Sequence, residues 1–406
     1  MIIRDPLIYA TSYYLRAEPD DTAARRQARQ ETFAEALHYT SQHLAAWLAL
    51  PAPELPALPP WGKDAPRALQ QVLTVQSLQG QTGFSAALSA YVLRNMWLLR
   101  VIVTRHGEHT PDVWEQLDAA LDGVPSAESW LHTARYWCGM APRPPEALAE
   151  TRAQPVQAAF GVLCLGRSEA SHVLVYSDAR TRSRANAFLR TLAPRLDWYG
   201  VQARHRLDVY TGRAATAARR QRQALERVSQ SAQLWETPQS AWRFKAGALT
   251  PMQAELSALE ALYHDVSDDL RITRAAAAEL RTLADEYRLL LMQNGLWVAA
   301  PTVWEAEVEA LRMLAVPVEA DVYHVETTLQ RLDFFARTFQ ARLTAQQSVQ
   351  MRQLGVWGLV LGVALVVVLL ASADLGRTLV RLVVLGAVLA LIALGGWAWQ
   401  GRRTLR

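Results

Sequence analysis

The sequence predicts three parts: an α+β cytosolic N-terminal module (residues 1–178), a long helical coiled-coil stalk (179–350) and a C-terminal two-helix transmembrane hairpin with a basic tail (351–406). Three observations predict this class: short β-type runs mixed with helical patterns, two heptad seams, and two uncharged runs of membrane-spanning length. The 406 residues are 51% hydrophobic and 20% charged, which excludes a wholly disordered or fibrous chain.

The N-terminal module shows runs rich in β-branched and aromatic residues alternating with helical segments. This mixture predicts an α+β sandwich in which one face of the sheet is covered. A proline-rich connector over 51–66 should be extended and exposed. We expect strands at 7–15, 71–79, 96–104, 157–165 and 172–176, and helices from Asp20 or Asp21 to about residue 50, at 83–95, and after Thr110-Pro111.

The stalk carries two seams in which apolar residues recur at alternating steps of three and four. One seam runs from Met252 to Leu291 and ends at Asn294-Gly295, a typical C-cap pair. A capping box at 302–305 should open a short helix. The second seam runs from Ala315 to Leu343 and continues without Gly or Pro to 354, so we expect one helix over about 318–372. The two long helices could pack within one chain or between chains.

The C-terminal region contains two apolar runs, 354–372 and 382–399. The first has 19 uncharged residues and would reach about 28 Å as a helix, close to the thickness of a bilayer core. Aromatic and basic residues mark the membrane interface, and in a hairpin they share one face. They are Trp357, Trp397, Trp399, Arg402 and Arg403. The arginine bias, with no secretory signal, predicts the bacterial inner (plasma) membrane with both termini cytoplasmic.

Small residues lie at positions that let membrane helices approach closely: Gly358 and Gly362 in the first run, and Gly386 in the second. They could pack the hairpin on itself or form contacts between subunits of a homo-oligomer. Asp374 lies in the turn, where it is either a turn residue or part of an acidic ring at a pore.

A basic stretch over 180–227 contains twelve arginines and three acidic residues. Within it we expect a basic patch formed by Arg204, Arg206, Arg219, Arg220 and Arg222. Three interpretations are open: a solvated face paired with acids elsewhere in the chain, contact with an acidic partner or anionic lipid, and nucleic-acid binding, which is the least favoured.

No catalytic, cofactor-binding or metal-binding residue is predicted, and we expect a protein that is not an enzyme and needs no cofactor. The sequence lacks a phosphate-binding loop and a dinucleotide-binding fingerprint. Gly166-Arg-Ser168-Glu-Ala170 lacks the second glycine of a nucleophile elbow, and His106-Gly-Glu108-His109 lacks metal-ligand spacing. Cys164 lacks the Gln-Ala-Cys context of a caspase nucleophile and should be a buried strand cysteine.

The layout of a long helical stalk, two membrane spans and a basic tail resembles that of CorA-type magnesium channels. Those channels carry a Gly-Met-Asn motif at the end of the first span, where this chain reads Leu370-Ala-Ser372-Ala-Asp374. The resemblance therefore extends to topology alone. It implies, as an alternative function, a divalent-cation channel or transporter.

A second resemblance covers more of the chain. It involves Asp5-Pro6, the blocks beginning at Gly83 and Met96, the helix at Trp114-Glu-Gln-Leu-Asp, the basic helix near Arg195–Arg206, and Asp269-Leu-Arg-Ile-Thr between paired long helices. Together with the hairpin, these features resemble membrane-tethered relatives of the caspase and TPR-repeat-associated (CATRA-like) proteins of bacterial conflict systems. The resemblance implies a membrane-anchored, non-enzymatic effector or adaptor of an immunity system. Its partners would be the bilayer and a protease or NTPase of the same system.

Overall fold

The computed structural model describes residues 2–58, 66, 68–80, 83–122, 129–142, 155–164, 171–236, 249–372 and 386–387. The chain divides into two compact units. Unit 1 comprises Met1–Ala215 and Arg271–Tyr323, and unit 2 comprises Thr216–Leu270 and His324–Arg406. The mixed sheet confirms an α+β region at the N-terminus, and long helices follow it.

The described residues of unit 1 form a single mixed sheet of nine strands. The strands are β1 (Ile3–Leu15), β2 (Gln70–Gln79), β3 (Phe84–Leu93), β4 (Met96–Arg105), β5 (Glu108–His109), β6 (Trp130–Met140), β7 (Pro155–Ala158), β8 (Gly161–Cys164) and β9 (Ser171–Tyr176). The strand order is β2-β3-β4-β1-β6-β9-β8-β7, with β5 paired to the start of β1. Neighbouring strands are antiparallel except β6 and β9, which are parallel.

Both faces of this sheet are covered, which corrects the expectation of one covered face. Successive side chains of a strand point to opposite faces, so β1 contributes to two apolar clusters. Leu7, Tyr9 and Tyr13 belong to one cluster. Ile8 and Tyr14 belong to the other. Because β1 pairs with a strand on each side and is buried on both faces, it is the structural centre of unit 1.

Two helices cover the Ile8 face: α1 (Ala23–Trp47) and α2 (Val113–Ala119). The ring of Phe33 on α1 stacks on Trp97 of β4 at 5.1 Å between centroids. The N-cap of α1 is Thr22, whose hydroxyl accepts from the Arg25 backbone N–H at 3.3 Å. The predicted caps Asp20 and Asp21 are wrong, since Asp21 instead pairs with Arg29 and accepts from the Glu18 backbone.

Two sequence expectations in the sheet are wrong, and one strand, β6, has no counterpart among the expected strands. Residues 83–95, expected to be helical, form β3 and the turn into β4, with Arg94 at a φ of 52°. The single strand expected over 157–165 is instead part of the β7–β8 hairpin as far as Cys164, and residue 165 lies outside the described residues. Gly161, at a φ of 129°, lets the backbone pass Val175, whose carbonyl oxygen would lie 2.5 Å from an added Cβ. Strand β6 was not expected at all.

The Tyr9 face of the sheet is covered by the helices that follow β9. These are α3 (Ala179–Ala187), a π-helical turn (Phe188–Leu192), α4 (Ala193–Glu236), α5 (Leu249–Gln293), α6 (Leu296–Ala299) and α7 (Pro301–Met313). Gly295, at a φ of 70°, follows the end of α5 as expected. The expected capping box of α7 is wrong, because Ala300 precedes the helix and no side chain caps it.

Helix α4 lies antiparallel to α5 within each unit. In unit 1, Arg206 of α4 pairs with Glu279 of α5 at 2.7 Å. In unit 2, Arg220 pairs with Asp269 at 2.9 Å, and Arg227 makes a two-point contact with Glu255 at 2.7 and 2.5 Å. Arginines further along α4 thus pair with acidic residues nearer the N-terminus of α5, which is the pattern of two antiparallel helices.

Helix α8 (Val316–Ser372) is continuous, as the absence of Gly and Pro between the seam and the apolar run predicts. Its seam residues Val325, Leu332 and Phe339 are buried. By length and composition, one helix among the described residues could cross a membrane, and its most apolar window has a mean hydropathy of 1.5 and none of its residues buried. The second expected span, 382–399, lies outside the described residues apart from 386–387.

Candidate functional site

A cavity of about 550 Å³ in unit 1 is the strongest candidate site. It lies between one face of the sheet, at β6, β8 and β9, and helices α4, α5 and α7. Its volume falls within the range of small-molecule sites, roughly 300–1,000 Å³. The polar and aromatic lining residues on which the argument depends are His132, Tyr136, His172, Asp197, Arg204, Tyr287, Trp304 and Glu307.

The pairing of strands brings the sheet residues together. His132 and Tyr136 are four residues apart on β6 and therefore share a face. Tyr136 is opposite His172 in the parallel pair β6–β9, and their ring centroids are 4.7 Å apart. Across the cavity, Asp197 and Arg204 are two turns apart on α4 and share one side of that helix.

Asp197 is the acidic centre of the site. The Tyr136 hydroxyl donates to Asp197 Oδ1 at 2.8 Å. The Tyr13 hydroxyl lies 3.5 Å from Oδ2 and 3.1 Å from the Pro194 carbonyl oxygen, its better acceptor. Burial raises the pKa of Asp197 to about 7, against the opposing effects of the two tyrosine hydroxyls and the Arg204 charge. Both protonation states are therefore populated near neutral pH.

The two histidines are neutral at physiological pH. Burial lowers the pKa of His132 to about 4, and the positive charge of Arg204 and the neighbouring His172 act in the same direction. Burial alone lowers the pKa of His172 to about 4. A neutral imidazole offers one N–H donor and one acceptor nitrogen. The cavity therefore presents two neutral imidazoles beside the charged side chains of Arg204 and Glu307 and the partly ionised Asp197.

The described residues contain neither a grouped set of metal ligands nor an exposed thiol. Within the part of the chain that the structure describes, no group of three or more histidine, cysteine or carboxylate side chains could hold a metal ion. The cysteines Cys138 and Cys164 are both buried and free of disulfides, and Cys164 lies on β8 as the sequence predicted. Burial raises the pKa of the Cys138 thiol, which opposes formation of a nucleophilic thiolate.

The basic patch does not form one surface of free charges. Arg204 lines the cavity, and Arg206 and Arg220 pair with Glu279 and Asp269 of the same chain. The Arg222 Nε donates to the Ala218 carbonyl oxygen at 3.4 Å, and Arg219 is exposed. Two of the five arginines thus have the intramolecular acidic partners that the first interpretation of the patch requires.

The expected membrane residues lie partly within the described chain. Trp357 is exposed on α8, and a Cβ added at Gly358, Gly362 or Gly386 would meet no atom within 4 Å. Asp374, Trp397, Trp399, Arg402 and Arg403 lie outside the described residues.

Sequence reasoning missed His132, Tyr136, His172 and Asp197. The available signal was the two-residue spacing of His132, Ala134 and Tyr136 between the polar residues Thr133 and Arg135, which would have placed His132 and Tyr136 on one strand face. Comparison with protein-family models, curated proteins and solved structures finds no match for this chain. The two family resemblances therefore stay hypotheses.

Proposed function

We propose that this chain is a membrane-anchored, non-enzymatic effector or adaptor whose cytosolic module receives a signal and whose C-terminal helices act at the bilayer. In this proposal, residues 354–399 form a transmembrane hairpin and the seams of α5 and α8 pack as a coiled coil. The setting of a bacterial immunity system, with a protease or NTPase partner, is supported by the sequence resemblance.

The proposal rests on a change along helix α8, whose apolar residues are buried in its first part and exposed in its last part. Its first part is packed, since Val318 in unit 1 is fully buried. Its last part is apolar and open, with Leu361 and Leu365 exposing 68% and 65% of their surface. Burying one leucine side chain is worth about 1.5–3 kcal/mol, so a run of this kind in water is strongly unfavourable. A bilayer removes this penalty, because a helix satisfies its own backbone hydrogen bonds.

Membrane fractionation of the full-length chain expressed in bacteria tests the anchor. One arginine near the centre of a span costs about 2.5–3.5 kcal/mol, so Val360→Arg with Leu365→Arg should keep the first span out of the bilayer and lower the membrane-bound fraction of the chain or cause its degradation. Ser348→Arg, placed before the apolar run on the same helix, is the matched control and should stay membrane-bound. Recovery of the unmodified chain in a detergent-free supernatant would refute the proposal.

A growth assay tests the effector role. Overexpression of the full-length chain should slow growth, and the double arginine variant should remove this effect while Ser348→Arg retains it. Harmless expression of the unmodified chain, alone and with each candidate partner, would contradict an effector. Rescue of magnesium uptake in a transport-deficient strain would instead support the cation-channel alternative, which no feature of the described residues favours.

A further inference from the structure

We propose that Arg100, Arg190 and the Tyr9 hydroxyl form a binding site for the phosphate group of a phosphomonoester on the helix-covered Tyr9 face of unit 1. This inference goes beyond the proposed function, because it concerns a ligand of unit 1 and holds whether or not α8 enters a membrane. It depends on three observations: a buried arginine without a carboxylate partner, a second arginine beside it, and a buried hydroxyl without an acceptor.

Arg100, on β4, is a buried cation that the described residues do not neutralise. The residue is 1% exposed. Its Nη2 donates to the Arg190 carbonyl oxygen at 3.1 Å, and its Nε has no hydrogen-bond partner. The ring centroids of Tyr91 and Tyr9 lie 4.2 and 5.2 Å from its guanidinium carbon. Within the described chain, no carboxylate oxygen lies within 4.0 Å of this guanidinium. A buried charge is costly unless an opposite charge pairs with it, so the position favours an anion.

Arg190 supplies a second positive charge beside the first. It lies in the π-helical turn, a type of turn that is frequent at functional sites. Its backbone carbonyl contacts Arg100, its side chain is exposed, and among the described residues it too lacks an acidic partner. The buried carboxyl of Asp197 has a different charged neighbour, Arg204. Two cations with no acid between them match an anion that carries two negative charges.

The Tyr9 hydroxyl is the third group of the site. The residue is 3% exposed, and its hydroxyl makes no hydrogen bond of acceptable geometry. Burial raises the pKa of this hydroxyl, and the positive charges of Arg100 and Arg190 oppose the rise. Both guanidinium groups therefore lie near the hydroxyl, whose proton lacks an acceptor. One phosphate oxygen would accept that proton, while the arginines donate to the other oxygens.

The helices leave part of β3 and β4 open beside Arg100. Ile102 follows Arg100 by two residues on β4 and therefore shares its face. Ala87 of β3 pairs with Ile102, so it lies on the same face. Both residues are half-buried, as is Tyr91, whose ring lies against the Arg100 guanidinium. An anion can therefore approach the arginines from this side of the sheet.

The charge of the site narrows the class of ligand. A phosphomonoester carries about 1.5 to 2 negative charges at pH 7, which matches two guanidinium groups. A carboxylate or a phosphodiester carries a single charge and would leave one of the arginines unneutralised. We therefore expect the monoester to bind more tightly than either.

Thermal unfolding of the full-length protein in detergent, at constant ionic strength, tests the site. The probes are inorganic phosphate, glycerol 3-phosphate and the diester dimethyl phosphate. The first two should raise the melting temperature in a saturable way, because a ligand that binds only the folded state stabilises it. Dimethyl phosphate should need about tenfold more ligand for half-saturation. Arg190→Gln should weaken phosphate binding about tenfold, and Tyr9→Phe, which keeps the ring beside Arg100, about threefold.

Arg195→Gln is the matched control, because Arg195 is exposed on α4 five residues beyond Arg190. Phosphate also stabilises proteins generally by exclusion from their surface, and this effect is common to all the variants. An equal response of the unmodified protein and Arg190→Gln, or no saturable response up to about 50 mM phosphate, would overturn the site and leave Arg100 a structural cation. An equal loss in Arg195→Gln would show that surface charge alone attracts the anion.

Two further comparisons define the ligand. Equally tight binding of dimethyl phosphate would overturn the phosphomonoester class. Dioctanoyl phosphatidic acid in the same detergent distinguishes the source of the phosphate: tighter binding than that of glycerol 3-phosphate supports a lipid headgroup, and equal or weaker binding supports a soluble monoester. Membrane fractionation is scored separately, so failure here does not affect the anchor.

Discussion

Replacing Asp197 by Asn should remove a pH dependence of stability that the buried carboxyl imposes on unit 1. The pKa of Asp197 is about 7 in the folded chain, against 3.8 for an ordinary Asp. Because the folded pKa is the higher one, the folded state holds the proton more tightly than the unfolded state. Protonated Asp197 therefore makes its full contribution to the free energy of unfolding below pH 3.8, and this contribution is lost as the pH rises through 7.

The size of the effect follows from this pKa difference. Three pKa units correspond to about 4 kcal/mol, of which about 3 kcal/mol would be lost between pH 5 and pH 8.5. This is an upper bound, since part of the Asp197 side chain faces the cavity. At about 2 °C per kcal/mol for a unit of this size, the melting temperature of the unmodified protein should fall by on the order of 6 °C relative to Asp197→Asn.

Thermal unfolding of the full-length protein, followed by tryptophan fluorescence at several pH values, measures this difference. Asparagine keeps the shape of the side chain and an oxygen that can accept from Tyr136, so a packing defect should not obscure the result. Asp208→Asn, at an exposed position of the same helix, is the matched control for replacing one carboxyl of α4 by an amide. A constant gap between the protein and Asp197→Asn across pH 5–8.5, or a gap that shifts in favour of the unmodified protein as the pH rises, would refute the reasoning.

Two further predictions concern packing in the sheet. Gly139→Ala should lower the free energy of unfolding in a denaturant titration by about 1–3 kcal/mol, because its new Cβ would overlap Ile3 Cγ2. Gly212 lies at an open helical position, so Gly212→Ala is the control and should be neutral or stabilise by up to about 1 kcal/mol. Cys138 and Cys164 expose 0% and 2% of their surface, so neither should react with Ellman's reagent at pH 8 before unfolding, and rapid reaction of the native protein would contradict their burial.

The wrong prediction of a helix at residues 83–95 shows the limit of secondary-structure prediction from local sequence. The segment is rich in Ala and Leu, which favour a helix, yet it forms β3 between β2 and β4. Leu93 and Met96 pair across a two-residue turn at Arg94-Asn95, and hydrogen bonds on both sides outweigh the helical propensity. Propensity is worth a few tenths of a kcal/mol per residue, so tertiary pairing can override it.

The cavity could not be predicted for a related reason. Its lining combines β6, which the sequence analysis did not assign, with residues of α4 and α7 that lie 60–175 positions further along the chain. Asp197 looked like one of the few acids in a basic stretch. Only the contact with Tyr136 and the burial between sheet and helix give it a raised pKa.

The sequence by itself determined those features that depend on neighbouring residues: the length of the apolar run, the two seams, the continuity of α8, and the strands β1, β2 and β4. Each is set by hydrophobic periodicity or by the absence of helix-breaking residues over a short span. The tertiary structure decided the order of strands, the covering of both sheet faces and the grouping of His132, Asp197 and Arg204 around one cavity. These features depend on which distant segments pack together, because burial and strand pairing join residues that are far apart in the sequence.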